Sequence, residues 1–455
     1  MSDLSAWLRA GVEAVESWQR GFASWSGHPA QRVDPERFRA AFAELTERLT
    51  NNYPYFHPDY AGQMLKPPHP VAVAGYLTTM LVNPNNHAMD GGPATARMER
   101  EAVAALAAMF GFGEHHLGHL TGGGTVANLE ALFVARESHP GRGVAFSTES
   151  HYTHARMCHV LGMSGHAVPV DAAGRMDLDA LEALLARGEV GTVVLTAGTT
   201  GLGAVDPVHE ALALRERYGV RLHVDAAYGG FFALLAAEGS PEPIDPAPWR
   251  AIASCDSVVI DPHKHGLQPY GCGAVLFADP EVARFYQHDS PYTYYTDADL
   301  HLGEISLECS RAGAAAAALW LTFQVIPPTP DGLGRFLAAG RRAALNWAAR
   351  LEDSPHLALY QRPELDIVTY FPRRDTLSAL DAASARVFAE GMNDPEDPVF
   401  LSTIRVSAAE LGRRHPWVRP DADGARVLRS VLMKPESQDR VDRLHGRVER
   451  LAAGD

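Results

Sequence analysis

Residues 190–228 read VGTVVLTAGTTGLGAVDPVHEALALRERYGVRLHVDAAY, and they contain a complete strand–helix–strand unit. Thr192–Thr196 and Arg221–Asp225 are short runs with strand character, and Val208–Tyr218 between them has the length and spacing of a helix. Two strands joined by a helix normally lie parallel in one sheet, with the helix covering a face. The unit therefore predicts an α/β fold built on a parallel sheet.

The same alternation extends over residues 94–328. Short strand-like runs are separated by helical stretches such as Leu178–Leu185 and Pro246–Ala253. We expect a largely parallel sheet with helices on both faces, closed by a helix at Ala312–Val325. The other predicted strands are Val144–Ser147, Ala167–Val170, Ser257–Asp261 and Gly273–Phe277, and the other predicted helices are Thr95–Phe110 and Val126–Glu137.

Two regions flank this unit. Residues 1–93 predict an N-terminal arm of two amphipathic helices broken near Ser26–Pro29, followed by an irregular segment at 51–93. Residues 329–455 follow a proline-rich hinge and predict a small α+β domain. We thus expect an arm, a large domain at 94–328 and a small C-terminal domain. The predicted strands of the small domain are Asp366–Phe371, Phe400–Val406 and Arg426–Met433.

Composition argues against several kinds of partner. The formal net charge is −15 without a long Lys/Arg run, so nucleic acid is not expected as a partner. The longest apolar run, Ala312–Ile326, is shorter than the roughly 20 residues that span a bilayer, and the N-terminus lacks the apolar core of a signal peptide. Four cysteines without CxxC spacing favour reduced core thiols in a cytoplasmic protein.

Reactive side chains follow the predicted strands at the edge where parallel α/β sheets bind ligands. The first segment is Thr121-Gly-Gly-Gly-Thr125, which leads into a predicted helix. Glycines let a phosphate approach the backbone, and a helix N-terminus offers free N–H groups and a positive dipole end. Taken alone, a glycine-rich turn without a ligand is an equally good interpretation, and the P-loop pattern is not matched.

The second segment is Arg221–Tyr228, in which Asp225 ends a buried strand. A buried carboxylate is costly without a partner. A protonated pyridine nitrogen would be such a partner, and the carboxylate would keep the aromatic ring an electron sink. Ala227 is small enough to lie beneath a flat ring. Without further context, Asp225 as the cap of the next helix is the favoured alternative.

The third segment is Ser257–Gly266, in which Lys264 follows an apolar strand. Its amine is expected at the sheet edge and partly desolvated, which favours the neutral nucleophile. His263 beside it can hydrogen-bond a phosphate or a carboxylate. A lone lysine after a strand is usually solvated, but the order of glycine loop, strand-end Asp and strand-end Lys favours a covalent cofactor site.

Together these motifs resemble the group II decarboxylases of fold type I that depend on pyridoxal 5'-phosphate (PLP). That family includes glutamate, aromatic amino acid and histidine decarboxylases. The resemblance covers about residues 55–435 and implies a mostly parallel, seven-stranded sheet, PLP as cofactor, and conversion of an L-amino acid to an amine and CO2. The motifs that carry it are TGGGTVANLE at 121–130, HYT at 151–153, GTTGLGAVDP at 198–207, HVDAAY at 223–228, DPHK at 261–264 and CSR at 309–311.

The resemblance also implies a role for each matching residue. Lys264 would form the Schiff base with PLP, and Asp225 would pair with the pyridine nitrogen. The ring would lie between His151 and Ala227, and His151 and His263 are candidate catalytic groups as well. The other implied cofactor contacts are Gly123, Gly124, Thr125, Thr200, Asp261 and His263.

A segment at Ser290–Thr296 resembles the family's mobile catalytic loop, in which a tyrosine protonates the substrate carbon after CO2 leaves. Tyr295 or Tyr294 is the candidate here, and plain packing is the alternative. The resemblance implies substrate contacts from three residues of the arm and from Arg429 of the small domain. For Arg429, a surface-strand arginine without a substrate role is the alternative. These four residues are His57, Gln63, Asn86 and Arg429.

The sequence does not fix the substrate. Some relatives carry paired arginines where this chain has only Arg311, and the segment at 82–91 is more polar than its counterpart in aromatic decarboxylases. The polar arm and Gln63 favour a polar or acidic amino acid over an aromatic one.

Three alternatives to decarboxylation stay open at this point. The first is another PLP reaction on the same fold, transamination or carbon–carbon lyase cleavage, and the second is a PLP-binding protein without turnover. The third is a metal hydrolase built on the histidines near 115–119 and 151–154, but no HExxH is present and ordinary surface or core histidines are favoured.

The resemblance further implies a homodimer with shared active sites. The arm favours the same assembly, because its predicted first helix presents an apolar face with no obvious partner within the chain. Its apolar residues are Trp7, Leu8, Val12, Val15, Trp18 and Phe22.

Overall fold

The computed structural model describes residues 3–287 and 305–454. Its helices are α1 (Leu4–Arg20), α2 (Pro35–Leu49), α3 (Pro70–Met80), α4 (Pro93–Phe110), α5 (Gly124–Ser138), α6 (Thr153–Leu161), α7 (Leu178–Leu185), α8 (Val208–Tyr218), α9 (Ala233–Ala236), α10 (Ala247–Ala251), α11 (Gly313–Val325), α12 (Gly334–Asp353), α13 (Leu377–Asn393), α14 (Ala408–Arg414) and α15 (Val441–Ala453). Its strands are β1 (Leu117–Thr121), β2 (Gly143–Ser147), β3 (Gly165–Val168), β4 (Val190–Thr196), β5 (Arg221–Asp225), β6 (Ser257–Ile260), β7 (Gly273–Phe277), β8 (Leu357–Gln361), β9 (Ile367–Pro372), β10 (Ser402–Ser407) and β11 (Gly424–Val431).

The larger sheet has seven strands in the order β1-β7-β6-β5-β4-β2-β3. Strands β3, β2, β4, β5 and β6 run parallel, whereas β7 is antiparallel to both of its neighbours. Strands β2, β4, β6 and β7 are buried along their whole length, as expected for apolar strands covered on both faces. The predicted α/β fold with a mostly parallel seven-stranded sheet is confirmed.

The register of the central strands brings three chain segments to one edge. Thr196 at the end of β4 pairs with Asp225 at the end of β5, and Asp225 pairs with Val259 near the end of β6. The loops that follow these strands therefore leave the sheet side by side. Residues far apart in sequence, such as Thr200 and Lys264, lie close together for this reason.

A second sheet of four antiparallel strands follows, in the order β10-β11-β9-β8. Helices α12, α13 and α15 pack against it around the fully buried Trp347 and Tyr370, whose ring centroids lie 5.3 Å apart. This confirms the predicted α+β character of the C-terminal region. The domain boundaries at residues 93 and 328 stay a prediction.

Several elements were missed or misplaced by the sequence patterns. The segment at 51–93 is not wholly irregular, because it contains α3, which begins at Pro70 and is capped by the side chain of His69. Strand β1 was also missed. Its sequence contains a glycine and a histidine among the apolar residues, so it lacks the regular alternation of a strand. The other missed elements are α6, α9, β8 and α14, and β3 begins two residues before its predicted start at Ala167.

The cysteines are all unpaired, and three of them are buried as predicted. Cys309 is exposed, so its assignment as a core thiol was wrong. Over the two described ranges, no helix has both the length and the hydropathy needed to cross a membrane.

The two helices at the N-terminus bury none of their own residues. Trp18 on α1 and Phe22 just beyond its end are 55% and 63% exposed, and Phe38 and Phe42 on α2 are 57% and 52% exposed. Such a concentration of exposed aromatic side chains is unusual on the surface of a soluble monomer.

Candidate active site

A cavity of about 330 Å³ lies at the carboxyl ends of β4, β5 and β6, beside the first turns of α5 and α6. This is the edge of the sheet at which the sequence predicted a ligand site. All ten of the predicted cofactor residues line this cavity. The lining residues are Gly122, Gly123, Gly124, Thr125, Val126, Asn128, His151, Tyr152, Thr153, Thr196, Gly198, Thr200, Asp225, Ala227, Tyr228, Asp261, His263 and Lys264.

One end of the cavity is a glycine-rich turn at the start of α5. Gly123 has a φ of +144°, and no side chain caps the helix, so the N–H groups of its first turn face the cavity edge without a side-chain acceptor. A Cβ at Gly124 would lie 2.7 Å from Asp261 Oδ2, so any larger residue here would displace the Asp261 carboxylate. A tight turn with free N–H groups at a helix N-terminus is suited to a phosphate.

Asp225 is buried at the end of β5, with 5% of its surface exposed. Its Oδ2 lies 2.8 Å from Nε2 of His154, and its Oδ1 accepts a hydrogen bond from the backbone N–H of Ala227 at 3.1 Å. Burial alone would raise the pKa of Asp225, but the hydrogen bond from His154, the charges of His154 and Lys264 and the Ala227 amide hold it below its ordinary value. The carboxylate is therefore ionised.

Lys264 reaches into the cavity beside Asp261. Its Nζ lies 3.0 Å from Asp261 Oδ2, and its side chain is 21% exposed. The lysine is thus paired with a carboxylate, in addition to being partly desolvated as predicted. The chain contains only two other lysines, Lys66 and Lys434, and neither lines the cavity.

Two buried polar atoms near Lys264 have no hydrogen-bond partner among the described residues. They are Oδ1 of Asp261 and Nδ1 of His263. Burial lowers the pKa of His263, although the nearby Asp261 acts in the opposite direction. Buried polar atoms without partners are uncommon in native structures and often mark a place where a bound group completes the site.

His151 lines the cavity with a defined tautomer. Its Nδ1 accepts a hydrogen bond from the backbone N–H of Thr153 at 3.2 Å, and the Thr153 hydroxyl lies 2.6 Å from the same nitrogen. Burial lowers the pKa of His151. The neutral imidazole therefore carries its proton on Nε2.

The predicted substrate contacts do not line the cavity. Asn86 is fully buried and bonds to Glu99 at 2.6 Å, whereas Gln63 is exposed and His57 lies half-buried in the arm. Arg429 is 4% exposed and donates to the carbonyl oxygen of Thr200 at 2.7 Å. The structure thus places Arg429 behind the turn that carries Thr200. Tyr294 and Tyr295 lie outside the described residues.

A buried layer beneath the cavity was not predicted. On β5, His223 lies 2.9 Å from Ser257 Oγ on one side and 2.9 Å from Asn128 Oδ1 on the other. Asn128 in turn donates to the carbonyl oxygen of Gly124 at 2.8 Å. Burial lowers the pKa of His223 to about 3. This neutral chain of hydrogen bonds ties the glycine turn to the central strands.

His154 was also missed as a site residue. The sequence considered it only for a metal site, together with His151, and it instead bonds Asp225. Among the residues that the structure describes, no group of three or more His, Cys, Asp or Glu side chains is placed to hold a metal ion. The available signal was its spacing, since His151 and His154 are one helical turn apart, but α6 itself was not predicted.

Comparison with known proteins identifies the family. Residues 34–369 match the model of the pyridoxal-dependent decarboxylase conserved domain. A probable L-tyrosine/L-aspartate decarboxylase of Methanopyrus kandleri is 32% identical over 329 residues, with 71% of this chain and 85% of that protein covered. An L-tyrosine decarboxylase of Enterococcus faecium is 28% identical over 390 residues, with 65% of this chain covered, and the chain spans 64% of that relative's length.

The fold is also shared with solved structures. The structure of Oryza sativa TDC with PLP and tryptamine matches with a TM-score of 0.80 at 16% sequence identity, covering 100% of this chain and 98% of that chain.

The sheet and the cavity together define an α/β enzyme whose site is suited to PLP. The glycine turn suits the phosphate, the ionised Asp225 suits a protonated ring nitrogen, and the amine of Lys264 suits an aldehyde. The chain belongs to the pyridoxal-dependent decarboxylase family. The family is named for decarboxylation that depends on pyridoxal, and this is the activity proposed for the chain.

Proposed function

We propose that the protein decarboxylates a polar L-amino acid, with L-aspartate as the first candidate. The observation that carries the proposal is the lining of the cavity, in which glycine, hydroxyl, amide, imidazole and charged groups predominate and Val126 and Ala227 are the aliphatic side chains. Such a wall offers hydrogen bonds to a polar side chain, and its aromatic rings are those of Tyr152 and Tyr228. The name of the Methanopyrus kandleri relative includes both tyrosine and aspartate, so the choice between them rests on the cavity lining.

The proposed site residues fall into a cofactor group and a proton-transfer group. PLP supplies an electron sink for the carbon–carboxylate bond that breaks. Lys264 would hold its aldehyde, and Asp225 would hold its ring nitrogen. The other proposed cofactor contacts are Gly123, Gly124, Thr125, His151, Thr200, Ala227, Asp261 and His263.

His151 is a proposed source of the proton that the substrate carbon receives. The hydrogen bond from the Thr153 amide to its Nδ1 leaves the proton on Nε2, within the cavity. Tyr294 and Tyr295 are the alternative donors proposed from the sequence, and His263 is a further candidate acid beside Lys264. Arg429 would act on the substrate by fixing the backbone at Thr200, and direct contacts from His57 and Gln63 would require a second chain. Asn86, which is fully buried against Glu99 and Thr95, would act only by supporting the arm.

We further propose a homodimer with shared active sites. The exposed aromatic side chains of α1 and α2 support it, since a second copy of the chain would cover them. A reducing compartment, the cytoplasm, is supported by the four unpaired cysteines. The net charge of −15 supports the proposal that nucleic acid is not a partner.

Replacement of the cofactor lysine is expected to remove both colour and turnover. Borohydride reduction of the wild-type protein should label Lys264 alone, because Lys66 lies 3.4 Å from the Met433 carbonyl and Lys434 bonds the Tyr60 carbonyl at 2.5 Å, both outside the cavity. Lys264→Ala should lack the visible band and the activity, whereas Lys434→Met should keep the label. Peptide mapping of the reduced protein is the measurement, and a label on Lys66 or an active Lys264→Ala protein contradicts the assignment.

Asp225→Asn is expected to bind PLP more weakly and, even at saturating PLP, to lose turnover by about 100- to 1000-fold, the size of effect produced by removing one preorganised electrostatic partner. A neutral amide does not keep the ring nitrogen protonated. The matched control is Asp256→Asn, because Asp256 accepts from the backbone N–H of Leu222 on the same strand but lies outside the cavity. Steady-state rates distinguish the two variants, and near-normal turnover of Asp225→Asn would show that the carboxylate acts only as a helix cap.

The substrate proposal is tested by measuring CO2 release from each of the common L-amino acids with saturating PLP. We expect the highest kcat/KM with L-aspartate. A clear preference for tyrosine or tryptophan contradicts the polar-substrate proposal, and formation of a keto acid without CO2 contradicts decarboxylation.

The shared-site dimer is tested by mixing two inactive variants. Lys264→Ala lacks the cofactor lysine, and the Tyr294→Phe/Tyr295→Phe double variant lacks the proposed donors. Refolded mixtures should contain heterodimers with one restored site and regain part of the activity. Sedimentation measures the assembly. A fully active monomer, or a mixture that stays inactive although heterodimers form, rules out the shared-site model.

A further inference from the structure

The imidazole of His154 lies directly behind the carboxylate of Asp225. Its Nε2 is 2.8 Å from Asp225 Oδ2, and both side chains are almost completely buried, at 0% and 6% exposure. The pair joins α6 to the end of β5, across 71 residues of sequence. His154 does not line the cavity, so it acts on the bound cofactor through neighbouring residues, and Asp225 is the one that its side chain hydrogen-bonds.

Among the described residues, the imidazole of His154 has one hydrogen-bond partner, which is Asp225. Its Nδ1 is buried without a partner, and the ring of Phe146 lies 6.1 Å away at an angle of 31°. An apolar side chain would fill such a place without leaving a nitrogen unsatisfied. The hydrogen bond to Asp225 is therefore the contact that accounts for a histidine at this buried position.

The geometry assigns His154 as a positioning residue that fixes the carboxylate of Asp225 for the ring nitrogen of PLP. This inference rests on the proposed pairing of Asp225 with that nitrogen. His154 bonds Oδ2 and the Ala227 amide bonds Oδ1, so each carboxylate oxygen has a donor. These two hydrogen bonds fix the orientation of the carboxylate plane. An ionised carboxylate accepts more than two hydrogen bonds, so it retains acceptor capacity toward the cavity.

The position of His154 also links Asp225 to the other side chain proposed against the ring. His151 lines the cavity, and the backbone N–H of His154 donates to the His151 carbonyl at 3.1 Å. The two histidines thus belong to one helical turn. A shift of that turn would therefore move two groups together. These are the His151 side chain, which is proposed to lie against the PLP ring, and the His154 imidazole, which supports Asp225.

The test compares His154→Gln with His154→Asn. The amide nitrogen of glutamine lies where Nε2 of histidine lies, whereas that of asparagine falls short of it. His154→Gln is expected to bind PLP as the wild type does, and His154→Asn to bind it about 10- to 100-fold more weakly, the loss that corresponds to one hydrogen bond to a charged group. Visible circular dichroism of the bound PLP, which reports how firmly the ring is held, should fall in the Asn variant alone.

A cofactor analogue separates positioning from general damage to the fold. In 1-deazapyridoxal 5'-phosphate a C–H group replaces the ring nitrogen, so Asp225 has nothing to hold. His154→Asn and the wild type should bind this analogue equally. If His154→Asn weakens PLP and the analogue to the same extent, or if it binds PLP as tightly as the wild type, the inference is overturned.

His119 provides the matched control pair. It is fully buried in the same domain, and its Nε2 also lies 2.8 Å from a carboxylate oxygen, that of Glu130, but it does not line the cavity. His119→Gln and His119→Asn should bind PLP and the analogue in the same ratio as the wild type. A change in that ratio in His119→Asn shows that any buried histidine–carboxylate pair has the effect, and it overturns the specific role of His154.

Failure of the underlying pairing gives a different result. If Asp225→Asn leaves the affinities for PLP and the analogue unchanged, Asp225 does not hold the ring nitrogen, and the inference for His154 falls with it. If Asp225→Asn weakens PLP selectively but His154→Asn does not, the pairing stands and the inference alone is overturned.

Discussion

A carboxylate buried in a protein interior remains ionised only when donors and positive charges offset the loss of water, and the site of this enzyme depends on that condition at Asp225. The donors come from two parts of the fold, the imidazole of His154 on α6 and the backbone N–H of Ala227 just beyond β5. Lys264 contributes a positive charge from a third part. The charge of one side chain is thus maintained by segments that only the folded sheet brings together.

The order of the strands explains how these segments meet. Strands β4, β5 and β6 are neighbours and run parallel, so the turn with Thr200, the end of β5 with Asp225 and the loop with Lys264 emerge at one edge. Antiparallel β7 follows β6 and starts next to the glycine turn, where a Cβ on Gly273 would lie 2.6 Å from Gly123. The close contact fixes the turn against the sheet, and the His223–Asn128 bonds hold it from below.

The sequence predicted the residues whose position follows from a strand and its end. Asp225 and Lys264 could be found because each follows a run of strand character, and Gly124 because glycines precede a helix. His154 could not be found, since its partner is 71 residues away and α6 is too short for a clear periodicity. Asn86 and Arg429 were expected at the substrate, but local pattern does not show that they hydrogen-bond Glu99 and the carbonyl of Thr200 instead.

The scarcity of lysine has a consequence for how the enzyme acquires its cofactor. Free pyridoxal phosphate is an aldehyde that condenses with accessible amines on most proteins. Here positive charge on the surface is carried almost entirely by arginine, which does not condense with aldehydes in this way, and the three lysines are Lys66, Lys264 and Lys434. Lys434 is 6% exposed and Lys66 is partly buried. The polypeptide therefore has only two other lysine amines, Lys66 and Lys434, that could trap the aldehyde before it reaches Lys264.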